Sequence, residues 1–499
     1  MLFNSGVFLK FFAAFLLLYF LLRHHLQARN VLIVVASYLF YGWWDYRFLS
    51  LLAFSSLLDY GVGLGLQRLQ DPNRRKLLLG FSMLINLSIL GFFKYYDFFA
   101  QSLAALMTEL HIPVRLQTLN LILPVGISFY TFQSMSYAID VYRGQVKATR
   151  NLVNFLAFVS FFPQLVAGPI ERARHLLPQF EPTLKITRPM LEEGLWLCLW
   201  GMFQKVVLAD NLAPLVEMVY GHSNPGGPMV ILGTIAFAFQ IYCDFAGYSD
   251  IARGSAKLLG FDIMVNFNLP YAAVNLRDFW RRWHVSFSTW LRDYLYISLG
   301  GNRLGALRTH FNIFVTMLLG GLWHGAAWNF VLWGLWHGAG LSVHRLWTKR
   351  DKTLRHDESF PLPLTPRPSS LSPTGGEGQG EGAVLRTNSA FRFLAWLATM
   401  LFVLYGWLLF RAGSFAHIVS LTRALGTFSL PVWTQSYCLN LAVFTLPLAA
   451  MQIWQAKTNN LLAPLTLPRW AQALLQGVLL IAIVLFWEKE KVPFIYFQF

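Results

Sequence analysis

Charge is what this sequence has least of. Asp, Glu, Lys and Arg make up 13% of its 499 residues while 56% are hydrophobic, against roughly 25% charged in an ordinary soluble domain. So little charge cannot clothe a water-facing surface of this size. Cysteine is scarcer still: Cys198, Cys243 and Cys438 stand far apart, in or beside apolar stretches, which excludes a disulfide framework and gives no zinc-ligand spacing. Acidic residues number 24 against 40 Lys and Arg, a formal charge of +16. In a soluble protein that balance would suggest nucleic acid. Here the basic residues occupy short segments between apolar runs, so they are assigned to lipid headgroups and topology, with no nucleic-acid partner. Gly-rich phosphate loops, Ser nucleophile elbows and zinc motifs are missing in any convincing context, so no metal is expected. No repeat period marks a solenoid or an inverted-repeat transporter.

What is there in abundance is apolar length. A window of about 19 residues marks candidate spans near 5–22, 31–44, 48–66, 77–96, 118–139, 151–168, 190–218, 228–247, 310–322, 326–345, 391–411, 434–454 and 469–487. Several fall short of the roughly 20 residues of a straight crossing, so about 11 true crossings are expected, the others being re-entrant or tilted. The first run, Val7 to Leu22, has only Lys10 as a charge and no small-residue cleavage site after it, so it reads as a retained span and not a secretory signal. Basic residues follow the first (Arg23, Arg29), third (Arg68, Arg74, Arg75, Lys76) and fifth (Arg143, Lys147, Arg150) spans. By the positive-inside rule the N-terminus is extracytoplasmic.

Residues 348–388 switch to a polar, Pro/Gly/Ser-rich composition, including PLPLTPRPSSLSPTGGEGQGEG. Such a segment cannot bury enough apolar surface to offset its ordering entropy and is expected to be a disordered loop. It divides a core, 1–347, from C-terminal transmembrane helices and a terminal aromatic motif, 389–499.

Two regions carry the candidate chemistry. Asn275 to Asn302 repeats aromatic and apolar residues at Phe279, Trp280, Trp283, Phe287, Trp290, Leu291 and Tyr294, with Arg277, Asp278, Arg281, Arg282, Arg292 and Asp293 between them. That is a stripe at helical spacing with too much charge for hydrocarbon. It predicts an amphipathic helix lying at the interface or dipping into the protein. Arg281 and Arg282 either anchor it to lipid phosphates or form a guanidinium fork for a phosphorylated donor. His284 lies among these charges. The second region, LLGGLWHGAAWNFVLWGLWHGAG, holds His324 between apolar segments, where an imidazole is costly and points to function. Gly320, Gly321 and Gly325 permit close backbone approach or a helix break. On one straight helix His337, 13 residues on, would face nearly the opposite way, about 220° round. No shared metal site is expected, and His337 is read as structural. Gln133, Asp244 and Asp250 are polar residues in apolar surroundings that need partners and can shape a polar cavity.

At these motifs the sequence resembles the membrane-bound O-acyltransferase family. The segments that carry the resemblance are LPVGISFYTFQSMSYAIDVYRG, FFPQLVAGPIERARHLLPQF, FQIYCDFAGYSDIARGSAKLLGFDIMVNFNLPY, LRDFWRRWHVSFSTWLRDYLYISLGGNR, LLGGLWHGAAWNFVLWGLWHG and the terminal PFIYFQF. The likeness is to the bacterial branch that O-acetylates alginate or peptidoglycan, or D-alanylates teichoic acid. It implies an all-α polytopic fold: a ring of tilted transmembrane helices around a thinned centre, with re-entrant and amphipathic helices. It also implies catalysis by His324 with His284 as a second essential histidine. Candidates for donor or substrate binding are Asn275, Arg281, Arg282, Trp283, Asp244 and Gln133. The terminal motif implies an acyl relay on Tyr496.

The implied activity passes an acetyl group from a cytoplasmic thioester, acetyl-CoA, across the inner membrane to an extracytoplasmic polysaccharide such as alginate. Peptidoglycan, cellulose and teichoic acid are the alternative acceptors. No bound cofactor is implied, and a periplasmic SGNH-type acetyltransferase is the implied partner. A transporter or flippase shares the spans and polar midplane residues but calls for broken helices repeated in two halves, and the sequence has none.

Overall fold

The computed structural model describes residues 1–113, 117–223, 225–350, 389–487 and 494–495, and among these it forms helices and no strand. Most of the loop expected at 348–388, and the relay residue Tyr496, lie outside the described residues.

The chain runs through α1 (Gly6–Leu22), α2 (Leu26–Gly42), α3 (Leu49–Arg68), α4 (Pro72–Leu90) and α5 (Tyr96–Glu109), the last two joined by a π-helical turn at Gly91–Tyr95. It continues through α6 (Ile127–Tyr142), α7 (Leu152–Ser160), α8 (Phe162–Leu165), α9 (Ala173–Leu176), α10 (Arg188–Met202) and α11 (Asp210–Tyr220), with a second π turn, Phe203–Ala209, between the last pair. Next come α12 (Gly227–Leu258), α13 (Leu276–Arg282) and α14 (Val285–Trp290) with a third π turn at Leu291–Tyr296, then α15 (Ala306–His324) and α16 (Trp328–Arg350). The last four are α17 (Ser389–Arg411), α18 (Phe415–Ala424), α19 (Thr434–Thr458) and α20 (Arg469–Leu485).

Five of the described helical stretches are long and apolar enough to cross a bilayer: Tyr46–Arg68, Pro72–Glu109, Gly227–Leu258, Ser389–Arg411 and Thr434–Thr458. The apolar α1 and α20 are shorter. Local chemistry explains where helices depart from the hydropathy windows. The window at 118–139 becomes helical only at Ile127, because Pro124 lacks an amide proton and Gly126 sits at φ +75°. The window at 151–168 breaks at Phe161, just before Pro163 at the start of α8. Arg29, expected as a loop charge, is instead fully buried in α2, where its guanidinium donates to Asn30 and to the carbonyls of Pro182 and Phe180.

Small residues set the closest helix contacts, as they must where lipid gives no hydrophobic drive between helices. A Cβ on Gly201 would lie 2.5 Å from the Gly247 carbonyl, and one on Gly254 would lie 2.6 Å from that of Gly194. These two glycine pairs, seven residues apart on each helix, let α10 and the central, mostly buried α12 touch backbone to backbone. The same device joins α15 to α16, where a Cβ on Gly334 would lie 2.4 Å from the Met317 carbonyl. That hairpin carries His324.

Candidate active site

The stretch predicted as one amphipathic helix is bent inward and broken. α13 ends at Arg282, Trp283 is extended, and His284 adopts φ +44° before α14 begins. A left-handed conformation is uncommon outside Gly and costs of order 1–3 kcal/mol when held by its surroundings. Here Asn266 holds it: its Oδ1 lies 3.2 Å from His284 Nδ1 and accepts from the Ser286 amide (3.2 Å) and hydroxyl (2.9 Å). The Val285 amide donates to the Asn266 carbonyl. The twist drives the imidazole of His284 into the interior, 0% exposed, against Phe245 (ring centroids 4.5 Å apart) and Phe287 (5.1 Å).

His324 is the last residue of α15. The helix stops because Gly325 is extended (φ −165°), and a Cβ there would lie 2.2 Å from the Phe330 ring. The imidazole, 3% exposed, sits among Phe287, Trp323, Trp333 and Phe410, with ring centroids 5.1–5.6 Å away. Phe287 and Trp323 also flank His284. The fold thus brings the two predicted histidines, 40 residues apart in sequence, into one aromatic chamber. His337 is a correction to the straight-helix geometry. The break at 325–327 folds α16 back on α15, so that Trp333 meets both His337 (ring centroids 4.8 Å apart) and His324 (5.1 Å). Among the described residues no group of His, Cys, Asp and Glu has a metal-holding arrangement.

The remaining candidates occupy different places. Trp283 is 1% exposed and packs on Trp407 (4.8 Å) and Phe267 (5.0 Å), forming the chamber's outer wall. Asn275 caps α13 by accepting from the Asp278 amide. Arg282 pairs with Asp278 at 2.8 Å, and Arg281 is partly buried beside it. Gln133 donates to the Phe158 carbonyl, tying α6 to α7. Asp244 and Asp210 flank the buried Lys205 at 2.6 and 2.7 Å, and the other Asp244 oxygen accepts from the Ile495 amide at 2.6 Å. Phe494 packs between Tyr248 (4.8 Å) and Phe245 (5.8 Å), the ring that lies on His284. Phe494 and Ile495 are thereby anchored to the same body as the chamber.

Sequence reasoning passed over Lys94, Lys205 and Asn266. A narrow cavity of about 60 Å³ is bounded by Lys94, the 123–129 segment, Val166, Trp323 and His324. Through Val125 and Val166 it adjoins a wider cavity of about 260 Å³ between the 1–7 segment and the Tyr41, Trp43 and Trp44 side chains. A solitary charge in an apolar run, as in GFFKYY, was the available signal for Lys94.

A helical membrane body that buries two imidazoles against the same aromatic rings, with a cavity at one of them, belongs to the class of integral membrane proteins that hold a polar site inside their helices. Residues 145–357 match the family model of membrane-bound O-acyltransferases. The probable alginate O-acetylase AlgI of Azotobacter vinelandii is 41% identical over 441 residues, 87% of this chain and 80% of that protein. The peptidoglycan O-acetyltransferase of Helicobacter pylori is 33% identical over 460 residues, 85% of this chain and 80% of its own length. The teichoic acid D-alanyltransferase of Streptococcus thermophilus is 30% identical over 247 residues, 47% of this chain and 59% of that protein. The chain belongs to the membrane-bound O-acyltransferase family. It is a multi-pass membrane acyltransferase, and the transporter alternative falls away.

Proposed function

We propose that this chain moves an acetyl group from a cytoplasmic thioester, acetyl-CoA, towards O-acetylation of an extracytoplasmic polysaccharide, with alginate the favoured acceptor and His324 the base. The observation that carries the reading is the shared chamber: His324 and His284 flank the same Phe287 and Trp323 rings, and a cavity reaches His324. Identities near 40% to alginate O-acetylases over most of the chain support alginate.

In this scheme a His324 ring nitrogen accepts the proton of an acceptor hydroxyl as that oxygen attacks the thioester carbonyl. The tetrahedral oxyanion collapses, the C–S bond breaks, and the thiolate takes the proton back from the imidazolium. An ester and a free thiol result. The aromatic walls exclude water that would otherwise hydrolyse the thioester. His284, its ring held through Asn266, positions the thioester beside His324. Arg281 and Arg282 serve the donor's phosphates at the chamber's charged edge.

The positive-inside count supports an extracytoplasmic N-terminus in a bacterial inner membrane. The wider cavity beside residues 1–7 then opens on the acceptor side. We assign Tyr496, which follows the anchored Ile495, as acyl carrier to a periplasmic SGNH-type acetyltransferase. Its phenol ester is activated enough to pass the acyl group on.

The test is His324→Ala, expressed at the wild-type membrane level, with polymer O-acetyl content measured in cells. Acetylation should disappear. Full acetylation in that variant removes His324 from the chemistry, and an unmodified alginate beside another acetylated polymer redirects the acceptor.

A further inference from the structure

A helix that ends inside a membrane protein leaves its last carbonyls without intrahelical partners, and hydrocarbon offers them no water. α15 ends this way at His324. Its closing carbonyls are taken up by side chains from another part of the chain, about 230 residues away. Tyr95 Oη donates to the Leu322 carbonyl at 2.8 Å, and Lys94 Nζ donates to the Trp323 carbonyl at 2.5 Å and the His324 carbonyl at 3.4 Å. Both donors belong to the π turn Gly91–Tyr95. An i→i+5 turn carries one residue more than a regular turn, and such turns are frequent at functional sites. Here two consecutive side chains of that turn reach the same helix end. Lys94 Nζ also lies 5.8 Å from the centroid of the Trp323 ring, and its side chain lines the cavity that opens on His324.

We propose that Lys94, assisted by Tyr95, is a positioning residue of the acyl-transfer site: together they clamp the terminal turn of α15 and so hold the His324 imidazole in the chamber. The inference rests on the reading of His324 as the base. Held by three hydrogen bonds to carbonyls of the last turn, His324 keeps one position while acyl and acceptor groups come and go. Gly325 alone, with its extended backbone, would leave that turn free to swing. Misplacement by about 1 Å costs on the order of a hundredfold in rate.

The experiment compares initial rates of polymer O-acetylation in cells carrying wild type, Lys94→Met, Lys94→Arg, Tyr95→Phe and His324→Ala at matched membrane levels. In parallel, diethyl pyrocarbonate modification of His324 is followed by mass spectrometry on the detergent-purified proteins. Lys94→Met should fall about a hundredfold and change the labelling rate of His324. Lys94→Arg, which restores several N–H donors, should recover to within about tenfold of wild type, and Tyr95→Phe should lose a few-fold. A wild-type rate and unchanged labelling in Lys94→Met, beside an inactive His324→Ala, overturns the clamp and leaves the base assignment standing. An active His324→Ala overturns the base assignment itself. Should Lys94→Met not reach the membrane, Tyr95→Phe carries the test: a lowered rate with altered labelling supports the clamp, and wild-type values for both overturn it.

Discussion

Gly321→Ala tests the link between helix contact and chemistry with a single methyl group. Gly321 lies three residues before His324 on α15, at the contact with α16, where a Cβ would stand 2.2 Å from the Phe330 carbonyl oxygen and 3.2 Å from Gly334 Cα. The first distance is about 1 Å short of ordinary van der Waals contact, and the obstacle is backbone, so α16 has to retreat. Overpacking of this kind costs about 1–3 kcal/mol, offset by up to about 1 kcal/mol from the better helix propensity of Ala. A net loss of about 0–2 kcal/mol lowers the melting temperature modestly. The larger effect falls on rate, because the retreat is comparable with the roughly 1 Å misplacement that costs about a hundredfold. Gly61 is the control: a Cβ there meets nothing within 4 Å. Melting of the detergent-solubilised proteins and polymer acetylation at matched membrane level are the assays. If Gly321→Ala behaves like Gly61→Ala in both, the close approach of α15 and α16 does not position His324.

Lys205→Met leaves Asp210 and Asp244 buried without their cation. A loss of about 3–5 kcal/mol should nearly abolish accumulation in the membrane, as an immunoblot would read, and Asp244→Asn should lower the protein's level more than its activity per molecule. Asn266→Leu removes the acceptor shared by His284 and Ser286. It should destabilise by about 1–3 kcal/mol and reduce acetylation beyond what the protein level explains, whereas normal specific activity would show that the left-handed His284 needs no anchor. Tyr496→Phe should stop polymer acetylation while Phe494→Ala mainly lowers stability, since Phe494 fills space between Tyr248 and Phe245. Full acetylation in Tyr496→Phe would end the relay.

Hydropathy and motif located most of the helices, because an apolar run of sufficient length has few alternatives in a bilayer, but not Tyr96–Glu109, Ala173–Leu176 or Phe415–Ala424. They missed what depends on distant partners. Gln133 stood out as a polar residue in apolar surroundings and Asn275 as a binding candidate, and each turned out to tie or cap backbone. Asp244 stood out for the same reason and meets Lys205 and Ile495, residues that no spacing rule connects to it. Periodicity drew one helix through Trp283 and His284, since aromatic spacing carries no information about a positive φ. For His324 and His337 the angular estimate assumed one straight rod, and the break at Gly325 was legible only as a permission.

The three π turns give these helices a property that length and hydropathy do not describe: angular phase. Each places one supernumerary residue in its helix, so everything beyond it is rotated by about 100° relative to an uninterrupted rod. The rotation at Gly91–Tyr95 sets which face of Tyr96–Glu109 follows on from Pro72–Leu90. Deleting Phe92 or Phe93 would therefore take out the extra residue and shorten the rod by only about 1.5 Å, letting a regular turn join the two halves with each keeping its face, while Lys94 and Tyr95 lose the wide turn that carries them. In such a helix a residue missing at the turn is absorbed without a change of heading, whereas one missing elsewhere re-aims everything beyond it by about 100°.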